Sequence, residues 1–317
     1  MSSPAVSVII PAFNCGELVR QAADSVRAQT YRDFEVILVD DGSTDDPWLA
    51  IGEIVAGWPE ARAIHCEHKG LAAARNRGIA DMRGEWIALL DADDLWLPEK
   101  LERCMAFLNA HPHLRIVYTP MDPIRLDGSR MKGHSKPCHA GWLTDRLFHS
   151  IFVHDPAAVF HKGVVEACGG FDESLEVCVG HEFWLRVSTK FEFGLIDEPL
   201  ALRRWHEKSL TRSNRVRARV TKSAMMDRFY FERGGREMLR DAKAARRRLA
   251  RVHYSTGKIL LRQRRMGAAQ RYFAKAIGLA PGLLRAYPFC AVSAAGKLLG
   301  LWRKGEGAQA ESRSDVP

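Results

Sequence analysis

The chain has 317 residues, of which 46% are hydrophobic and 27% are charged, and its formal net charge is +9. These values are ordinary for a soluble globular protein, and the length allows a sizeable core in one large domain or two. The seven cysteines are odd in number and no two have C-x-x-C spacing. This pattern argues against a zinc site or a disulfide framework and fits a reducing cytoplasm.

The net charge conceals an asymmetry between the two parts of the chain. Residues 1–200 carry a net charge of −11, and residues 201–317 carry +20. This division predicts an acidic, metal-binding globule followed by a basic extension that meets an anionic partner. Nucleic acid, anionic lipid and anionic glycan all have the required charge. We expect neither a signal peptide at the N-terminus nor a segment apolar enough to span a bilayer.

Apolar segments and helical spacings alternate along the first part of the chain. Strands are predicted at 6–10, 34–39, 61–65, 86–90, 116–119 and 157–160, and helices at 17–29, 48–56, 70–80, 101–109 and 182–186. The alternation predicts an α/β fold with a Rossmann-like, mainly parallel sheet and helices on both faces. A polar segment at 128–138 is predicted to be a loop over the site.

Polar side chains follow three of these strands, where each strand ends. Asn14 follows the first, Asp40 ends the second, and Asp91 with Asp93 follow the fourth. In a parallel sheet these side chains share one edge, where open α/β sheets bind ligands. Carboxylates are hard ligands suited to Mg²⁺ or Mn²⁺. Residues 11–16 match no Gly-rich phosphate loop, so metal and basic side chains must meet any phosphate charge.

Four segments, taken together, identify a family. Residues 6–14, 39–45, 70–78 and 90–94 resemble, in order, the motifs of the family 2 inverting glycosyltransferases. The resemblance covers roughly residues 5–100. It implies the A-type glycosyltransferase fold (GT-A), a nucleotide-sugar donor and a divalent metal.

The resemblance also implies roles for individual residues. The nucleotide-sugar site would comprise Pro11, Ala12, Phe13, Asn14, Asp40, Arg75, Asp91 and Ala92. Within it, Asp40 would bind the base, Asp91 would lie near the ribose, and Asp93 would bind the metal. Two alternatives stay open: Phe13 can belong to the core, and Arg75 can lie on a solvated helix face.

The acceptor half departs from the family pattern at one position. Residues 169–173 resemble the family, and residues 154–156 and the strand at 157–160 precede them. Members then commonly carry an E-D pair before a helix ending in W-L-R, and the Asp of the pair is the usual general base. Val179 and Gly180 occupy those positions here. Glu182 and His181 are the candidate replacements, and the alternatives are an exposed first-turn acid and a turn residue.

The segment 199–206 resembles the family's closing segment, which carries R-x-H. The resemblance places His206 at the metal or the diphosphate, and the alternative is a loop histidine without a special role. The predicted domains are a catalytic domain at 1–212 (nucleotide half about 1–120, acceptor half about 121–212), a basic helical extension at 213–304 and a disordered tail at 305–317.

The extension contains one recognisable pattern. Residues 251–281 resemble a single tetratricopeptide-type helical hairpin, with matching residues at Gly257, Ala269, Phe273, Ala276 and Pro281. Residues 283–302 form a further amphipathic element with Leu, Trp and basic residues. That composition suits a helix in a membrane interface, and equally a helix that covers the hairpin.

These observations predict metal-dependent, inverting transfer of a sugar from a UDP- or dTDP-linked donor to a hydroxyl of a glycan or lipid-linked acceptor. Surface polysaccharide or glycoconjugate synthesis is the expected process, in the cytoplasm or on the inner face of the membrane. A catalytically silent nucleotide- or glycan-binding relative is the alternative, because Gly180 replaces the usual base. No nucleic acid partner is expected, since the basic extension has no recognisable nucleic-acid-binding motif.

Overall fold

The structure is a computed structural model, and it describes residues 3–44, 47–131, 137–205 and 215–298. The chain divides into two compact units, Met1–Ser213 and Asn214–Pro317. The sequence analysis placed this boundary between residues 212 and 213. The expected tail at 305–317 lies outside the described residues.

The first unit contains ten strands within its described residues. They are β1 (Val6–Ala12), β2 (Phe34–Asp40), β3 (Ala61–His65), β4 (Trp86–Leu89), β5 (Leu95–Trp96), β6 (Ile116–Tyr118), β7 (Met121–Ile124), β8 (Ala158–His161), β9 (Gly194–Leu195) and β10 (Ala201–Arg204). Its helices are α1 (Leu18–Arg27), α2 (Pro47–Ala56), α3 (Leu71–Ala80), α4 (Lys100–Ala110), α5 (Thr144–His149), α6 (Gly163–Cys168) and α7 (Val179–Val187), with a 3₁₀ turn at Asp155–Ala157.

Seven strands form the main sheet, in the order β3-β2-β1-β4-β8-β6-β9. β8 runs antiparallel to both its neighbours, and the other pairs are parallel. All seven residues of β1 and of β2 are buried. Strands covered on both faces need continuous apolar sequence, which is why these two were visible in the sequence. The predicted α/β fold with a mainly parallel sheet is confirmed.

Helices pack closely on this sheet. In α1 the buried residues Val19, Ala22, Ala23 and Val26 follow the helical period of an amphipathic face. α3 approaches β1 so closely that a Cβ on Gly78 would lie 2.4 Å from the side chain of Ile9. Only glycine allows this approach, which brings α3 and its Arg75 against the sheet edge.

A second sheet, in the order β5-β10-β7, was not predicted. Its strands have two to four residues, too few for a clear alternation of apolar and polar positions. α7 also begins earlier than expected, at Val179 rather than near residue 182. Gly180 therefore lies inside the first turn of α7.

The described residues of the second unit contain helices and no strand. It contains α8 (Arg215–Asp227), a π-helical turn (Arg228–Glu232), α9 (Gly235–Met238), α10 (Ala242–Arg262), α11 (Met266–Leu279) and α12 (Ala286–Leu298). α10 and α11 form a hairpin in which a Cβ on Gly257 would lie 2.8 Å from the ring of Phe273. The predicted hairpin is present, and its kinship to the tetratricopeptide repeat stays a prediction.

Across the described residues, no helix is both long and apolar enough to span a bilayer. Residues 299–304, which complete the predicted interfacial element, are outside that part of the chain.

Candidate active site

The carboxyl ends of β1, β2 and β3 lie side by side. Ala12 pairs with Asp40, and Asp40 pairs with His65. The backbone N–H of Asp41 donates to the carbonyl of Ala12 at 2.9 Å, which joins the loops that leave β1 and β2. Pro11, the residue before Ala12, is buried in the same strand. The structure thus brings the predicted nucleoside-pocket residues and Asp40 to one edge.

Phe13 lies at this edge and not in the core. Its side chain is 42% exposed, and its ring stacks on His68 with ring centroids 3.9 Å apart. The Nδ1 atom of His68 lies 2.9 Å from Oδ2 of Asp41. An exposed aromatic ring held from one side suits stacking against a planar ligand. The sequence analysis missed His68, because nothing in the sequence pairs it with Phe13.

Asn14 closes the gap between two loops. It adopts a left-handed backbone conformation with φ of 47°. Its Oδ1 accepts the backbone N–H of Thr44 at 2.8 Å, and its own N–H donates to Oγ of Ser43 at 3.1 Å. Asn14 therefore orders the sheet edge locally, and a direct contact between Asn14 and a sugar nucleotide stays a prediction.

Asp40 is 1% exposed, and both of its carboxylate oxygens have partners. Oδ1 accepts the hydroxyl of Ser43 at 2.6 Å, and Oδ2 lies 2.7 Å from Nδ1 of His65. Oδ1 also accepts the backbone N–H of Ser43 at 3.2 Å. Because each carboxylate oxygen can accept two hydrogen bonds, Oδ2 is the oxygen that retains acceptor capacity. Recognition of a base by Asp40 would occur beside His65, a neighbour that the sequence analysis did not identify.

Arg75 is fully buried, so the alternative of a solvated helix face is wrong. Its Nη2 donates to Oδ1 of Asp91 at 2.6 Å, and its Nη1 donates to Oδ2 of Asp155 at 2.7 Å. Burial alone lowers the pKa of Arg75, but the two carboxylates outweigh this and raise it. The guanidinium also lies over the ring of Phe171, 5.1 Å from its centroid. Arg75 is thus a permanently charged link between two carboxylates.

Three carboxylates crowd the turn that follows β4. Asp91 and Asp93 are partly exposed, and Asp94 is 5% exposed. Burial, together with the charges of Asp93 and Asp91, holds the pKa of Asp94 well above its usual range. The described residues contain no group of three side chains able to hold a metal. The turn still fits Mg²⁺ or Mn²⁺, which one or two carboxylates can bind together with substrate phosphates.

The turn is fastened by Arg204, at the end of β10. Its Nε donates to the carbonyl of Asp93 at 2.9 Å, and its backbone N–H donates to Oδ1 of Asp94 at 2.9 Å. Its Nη2 donates to Oε1 of Gln21 at 2.8 Å. Ala92, between the acids, is buried. The sequence analysis noted the R-x-H segment but gave Arg204 no role. His206, the proposed metal ligand, lies outside the described residues.

The two candidate bases on α7 are both buried. Glu182 is 5% exposed and accepts from Arg186 twice, at 3.0 and 2.8 Å. Arg186 also donates to the carbonyl of Gly170 at 2.8 Å. His181 is 6% exposed, and its Nε2 lies 2.9 Å from the carbonyl of Leu147. Glu182 is therefore not an exposed first-turn acid, and its role as the base stays a prediction.

A carboxylate that the sequence analysis left unassigned occupies the space beside Gly180. The side chain of Asp155 is 12% exposed. Its Oδ1 accepts from the indole Nε1 of Trp184 at 2.7 Å, while Oδ2 accepts from Arg75. Burial raises the pKa of Asp155, and Asp91 adds to this, whereas Arg75 and Trp184 partly offset it. The sequence analysis named the segment 154–156 without giving it a role, and only the fold shows where Asp155 lies.

Known proteins resemble this chain in sequence and in structure. Residues 7–169 match the model of the family "Glycosyl transferase family 2". Chondroitin synthase of Escherichia coli is 31% identical over 186 residues, which are 58% of this chain and 26% of that protein. Hyaluronan synthase of Pasteurella multocida is 29% identical over 191 residues, 60% of this chain and 19% of that protein. The chain thus spans about a fifth to a quarter of the length of these curated relatives.

Two solved structures share the fold over nearly the whole chain. TarS of S. aureus, in complex with UDP, has a TM-score of 0.63 at 17% identity and covers 93% of this chain and 92% of its own. Mannosyltransferase PcManGT from Pyrobaculum calidifontis, in complex with GDP-Man and Mn²⁺, has a TM-score of 0.61 at 19% identity, covering 96% and 82%. The fold is that of the GT-A enzymes, and the family match shows that the chain belongs to glycosyl transferase family 2.

Proposed function

We propose that the chain is a metal-dependent inverting glycosyltransferase that moves a sugar from a nucleoside diphosphate to an acceptor hydroxyl. The observation that carries this proposal is the convergence of Phe13, Asp40, Asp93 and the Arg75–Asp91 pair at one edge of a family 2 sheet. Stacking, hydrogen-bonding and metal-binding groups are the set that a nucleotide diphosphate requires.

Each part of the edge meets a different part of the donor. Phe13 stacks on the base, Asp40 accepts a hydrogen bond from it, and Asp91 binds the ribose. Asp93 and Ala92 would lie at the diphosphate, where Asp93 would hold Mg²⁺ or Mn²⁺, with His206 as a further proposed ligand. A bound divalent metal supplies positive charge that stabilises the departing diphosphate. The acceptor oxygen attacks C1 from the opposite face, which inverts its configuration.

Solved relatives support the donor class without fixing the sugar. The TarS structures contain UDP and UDP-GlcNAc, and the mannosyltransferase contains GDP-Man with Mn²⁺. For this chain we propose a UDP- or dTDP-linked donor, because uracil and thymine offer the same imide edge to Asp40. The names of the chondroitin and hyaluronan synthases support a glycan or lipid-linked acceptor in surface polysaccharide or glycoconjugate synthesis.

A thermal-shift screen with UDP, dTDP, GDP and ADP, with and without Mn²⁺, tests the donor class. A ligand that binds only the folded chain raises the melting temperature by mass action. We expect UDP or dTDP with Mn²⁺ to give the largest shift. Release of nucleoside diphosphate from UDP-glucose, UDP-N-acetylglucosamine or dTDP-glucose then tests catalysis. Binding without any turnover would instead favour a catalytically silent relative.

We also propose that the basic residues 201–317 hold the enzyme on an anionic membrane surface, on the cytoplasmic side. Their net charge of +20 attracts acidic headgroups, at about 1 kcal/mol for each basic residue near the surface. Flotation with phosphatidylserine vesicles and with phosphatidylcholine vesicles, at low and high salt, tests this. Equal binding to both lipids would contradict an electrostatic anchor.

A further inference from the structure

Asp155 and Gly180 lie in direct contact although they come from different elements. An ideal Cβ built on Gly180 would lie 2.2 Å from Oδ2 and 2.4 Å from Oδ1 of Asp155. Real Cβ atoms essentially never approach other atoms below 3.0 Å. The first turn of α7 therefore has room for the carboxylate of Asp155 only because residue 180 has no side chain.

The carboxylate is held in one orientation. Arg75 binds one oxygen and the indole of Trp184 binds the other, each at 2.7 Å. Each oxygen keeps a second acceptor position. The side chain is 12% exposed, in contrast to 1% for that of Arg75, so solvent or a small group reaches it. Asp155 is thus a preorganised hydrogen-bond acceptor that is not fully buried.

Asp155 is also connected to the proposed donor edge. Arg75 binds Asp155 with one arm of its guanidinium and Asp91 with the other. Because the guanidinium is rigid and planar, the two carboxylates are held on either side of a single group. Asp91 follows β4 at the edge where the nucleotide is proposed to bind. Only the guanidinium of Arg75 therefore separates Asp155 from Asp91 at that edge.

Attack by a hydroxyl on C1 of the donor needs a group that takes the hydroxyl proton. A positioned base contributes typically ~10²–10⁴-fold to the rate, and a carboxylate with a raised pKa is better suited to this work at neutral pH. Burial raises the pKa of Asp155, and the nearby charge of Asp91 opposes its ionisation while Arg75 favours it. Glu182 is less exposed, at 5%, and its partner Arg186 binds the carbonyl of Gly170 and not a carboxylate of the donor edge.

We propose that Asp155 is the general base of the transfer and that Gly180 is the adaptation that admits its carboxylate. The acceptor oxygen forms a bond to C1 as the bond from C1 to the diphosphate oxygen breaks. The hydroxyl proton passes to Asp155, and the bonding electrons leave with the nucleoside diphosphate. This inference rests on the proposed function.

The experiment compares two nucleophiles on the full chain with Mn²⁺ and the sugar nucleotide that wild type hydrolyses fastest. Water must lose a proton as it attacks, whereas azide is already an anion and needs no base. In Asp155→Asn, we expect water-dependent release of nucleoside diphosphate to fall ~10²-fold or more. We expect azide-dependent release, and donor affinity by calorimetry, to stay within about threefold of wild type. Asp24→Asn, at an exposed position in α1, is the matched control and should change neither.

The pH dependence of turnover, compared between wild type and Asp155→Asn, gives a second test. In wild type, water-dependent turnover should fall about tenfold for each pH unit below the pKa of the base. Azide-dependent turnover, calculated for the concentration of azide anion because hydrazoic acid is itself a weak acid, should show no such decline. Asp155→Asn should lose the acidic limb of the profile.

Three results would overturn Asp155 as the base. Full water-dependent turnover in Asp155→Asn would show that the proton goes elsewhere. A large loss in Glu182→Gln, without one in Asp155→Asn, would assign the base to Glu182. Equal loss with water and azide would make Asp155 a positioning residue that acts through Arg75. A wild-type chain that turns over no donor contradicts the proposed function itself, which is a separate outcome.

Discussion

The carboxylate of Asp155 fills the space in which a side chain at Gly180 would begin, 2.2 Å from the position of its Cβ. Gly180→Ala should therefore displace Asp155 without removing any ionisable group. We expect turnover to fall at least ~10-fold if Asp155 is the base, and the overpacked contact to cost about 1–3 kcal/mol of stability. Nucleoside diphosphate release and thermal melting measure the two effects.

Gly52→Ala is the matched control for this variant. Gly52 is an exposed helical glycine in α2 with no atom within 4 Å of a Cβ, so alanine should keep turnover and add up to ~1 kcal/mol of stability.

Aspartate at position 180 meets the same contact as alanine and should not raise activity. Full turnover in Gly180→Ala would show that the fit between these residues is unimportant.

Because Arg75 joins two carboxylates, even its conservative replacement by lysine should lower the stability of the fold. Arg75→Lys keeps the charge but cannot serve Asp91 and Asp155 together in the same geometry. Breaking a buried ion pair typically costs about 3–5 kcal/mol, because a carboxylate loses its partner. Calorimetric unfolding should show this loss. Arg77→Lys, on the same helix and 54% exposed, should change stability by less than ~0.5 kcal/mol. Similar melting temperatures in both variants would contradict the buried link.

Asp40→Ala should weaken discrimination between bases more than metal binding. A site built to hydrogen-bond a polar edge loses selectivity when that group is removed. Affinities for UDP and ADP, each with Mn²⁺, give the selectivity ratio in wild type and variant. We expect the ratio to fall at least ~10-fold while the dependence on Mn²⁺ remains. An unchanged ratio would mean that Asp40 holds His65 and Ser43 in place and does not recognise the base.

Lys100 has no proposed role in the site, and its surroundings predict a stabilising substitution. It is fully buried, and its Nζ has no hydrogen-bond partner, although it lies 4.4 Å from the centre of the Trp96 ring. Lys100→Met should raise the melting temperature by about 2–4 °C for each kcal/mol gained. The exposed Lys243→Met is the control and should have little effect.

The ionisation of Lys100 also predicts how the stability difference between wild type and Lys100→Met depends on pH. Burial lowers the pKa of Lys100 in the folded chain. Between the folded pKa and the unfolded value of about 10.4, the unfolded chain binds more protons, so the stability contributed by this group rises with pH. The advantage of Lys100→Met should be full below the folded pKa and should shrink as pH rises towards 10.4. A constant advantage would contradict a buried charge.

The sequence predicts the central strands well, because β1 and β2 are buried on both faces and read as continuous apolar segments. It does not predict the second sheet, whose strands are too short to show a period. It also misplaces the start of α7, since Val179 and Gly180 carry no sign of a helix N-terminus.

Candidate residues at strand ends were found because parallel strands deliver their ends to one edge. Asp155, Arg204 and His68 were not assigned, because their roles depend on contacts between distant segments of the chain. The sequence shows that Gly180 stands where the family commonly has an aspartate. Only the fold shows that the carboxylate of Asp155 lies beside Gly180. Glu182 was chosen for its nearness in sequence, and its ion pair with Arg186 was not foreseen.

Calorimetric titration of UDP or dTDP, with and without Mn²⁺, into wild type and Asp93→Ala tests the central claim most directly. Wild type should bind at least ~10-fold more tightly with Mn²⁺, because the metal joins the diphosphate to the acidic turn after β4. Asp93→Ala should lose this gain and keep the weaker metal-free affinity and its melting temperature. Equal Mn²⁺-dependent affinity in wild type and Asp93→Ala would contradict a metal-assisted nucleotide-sugar site at this edge.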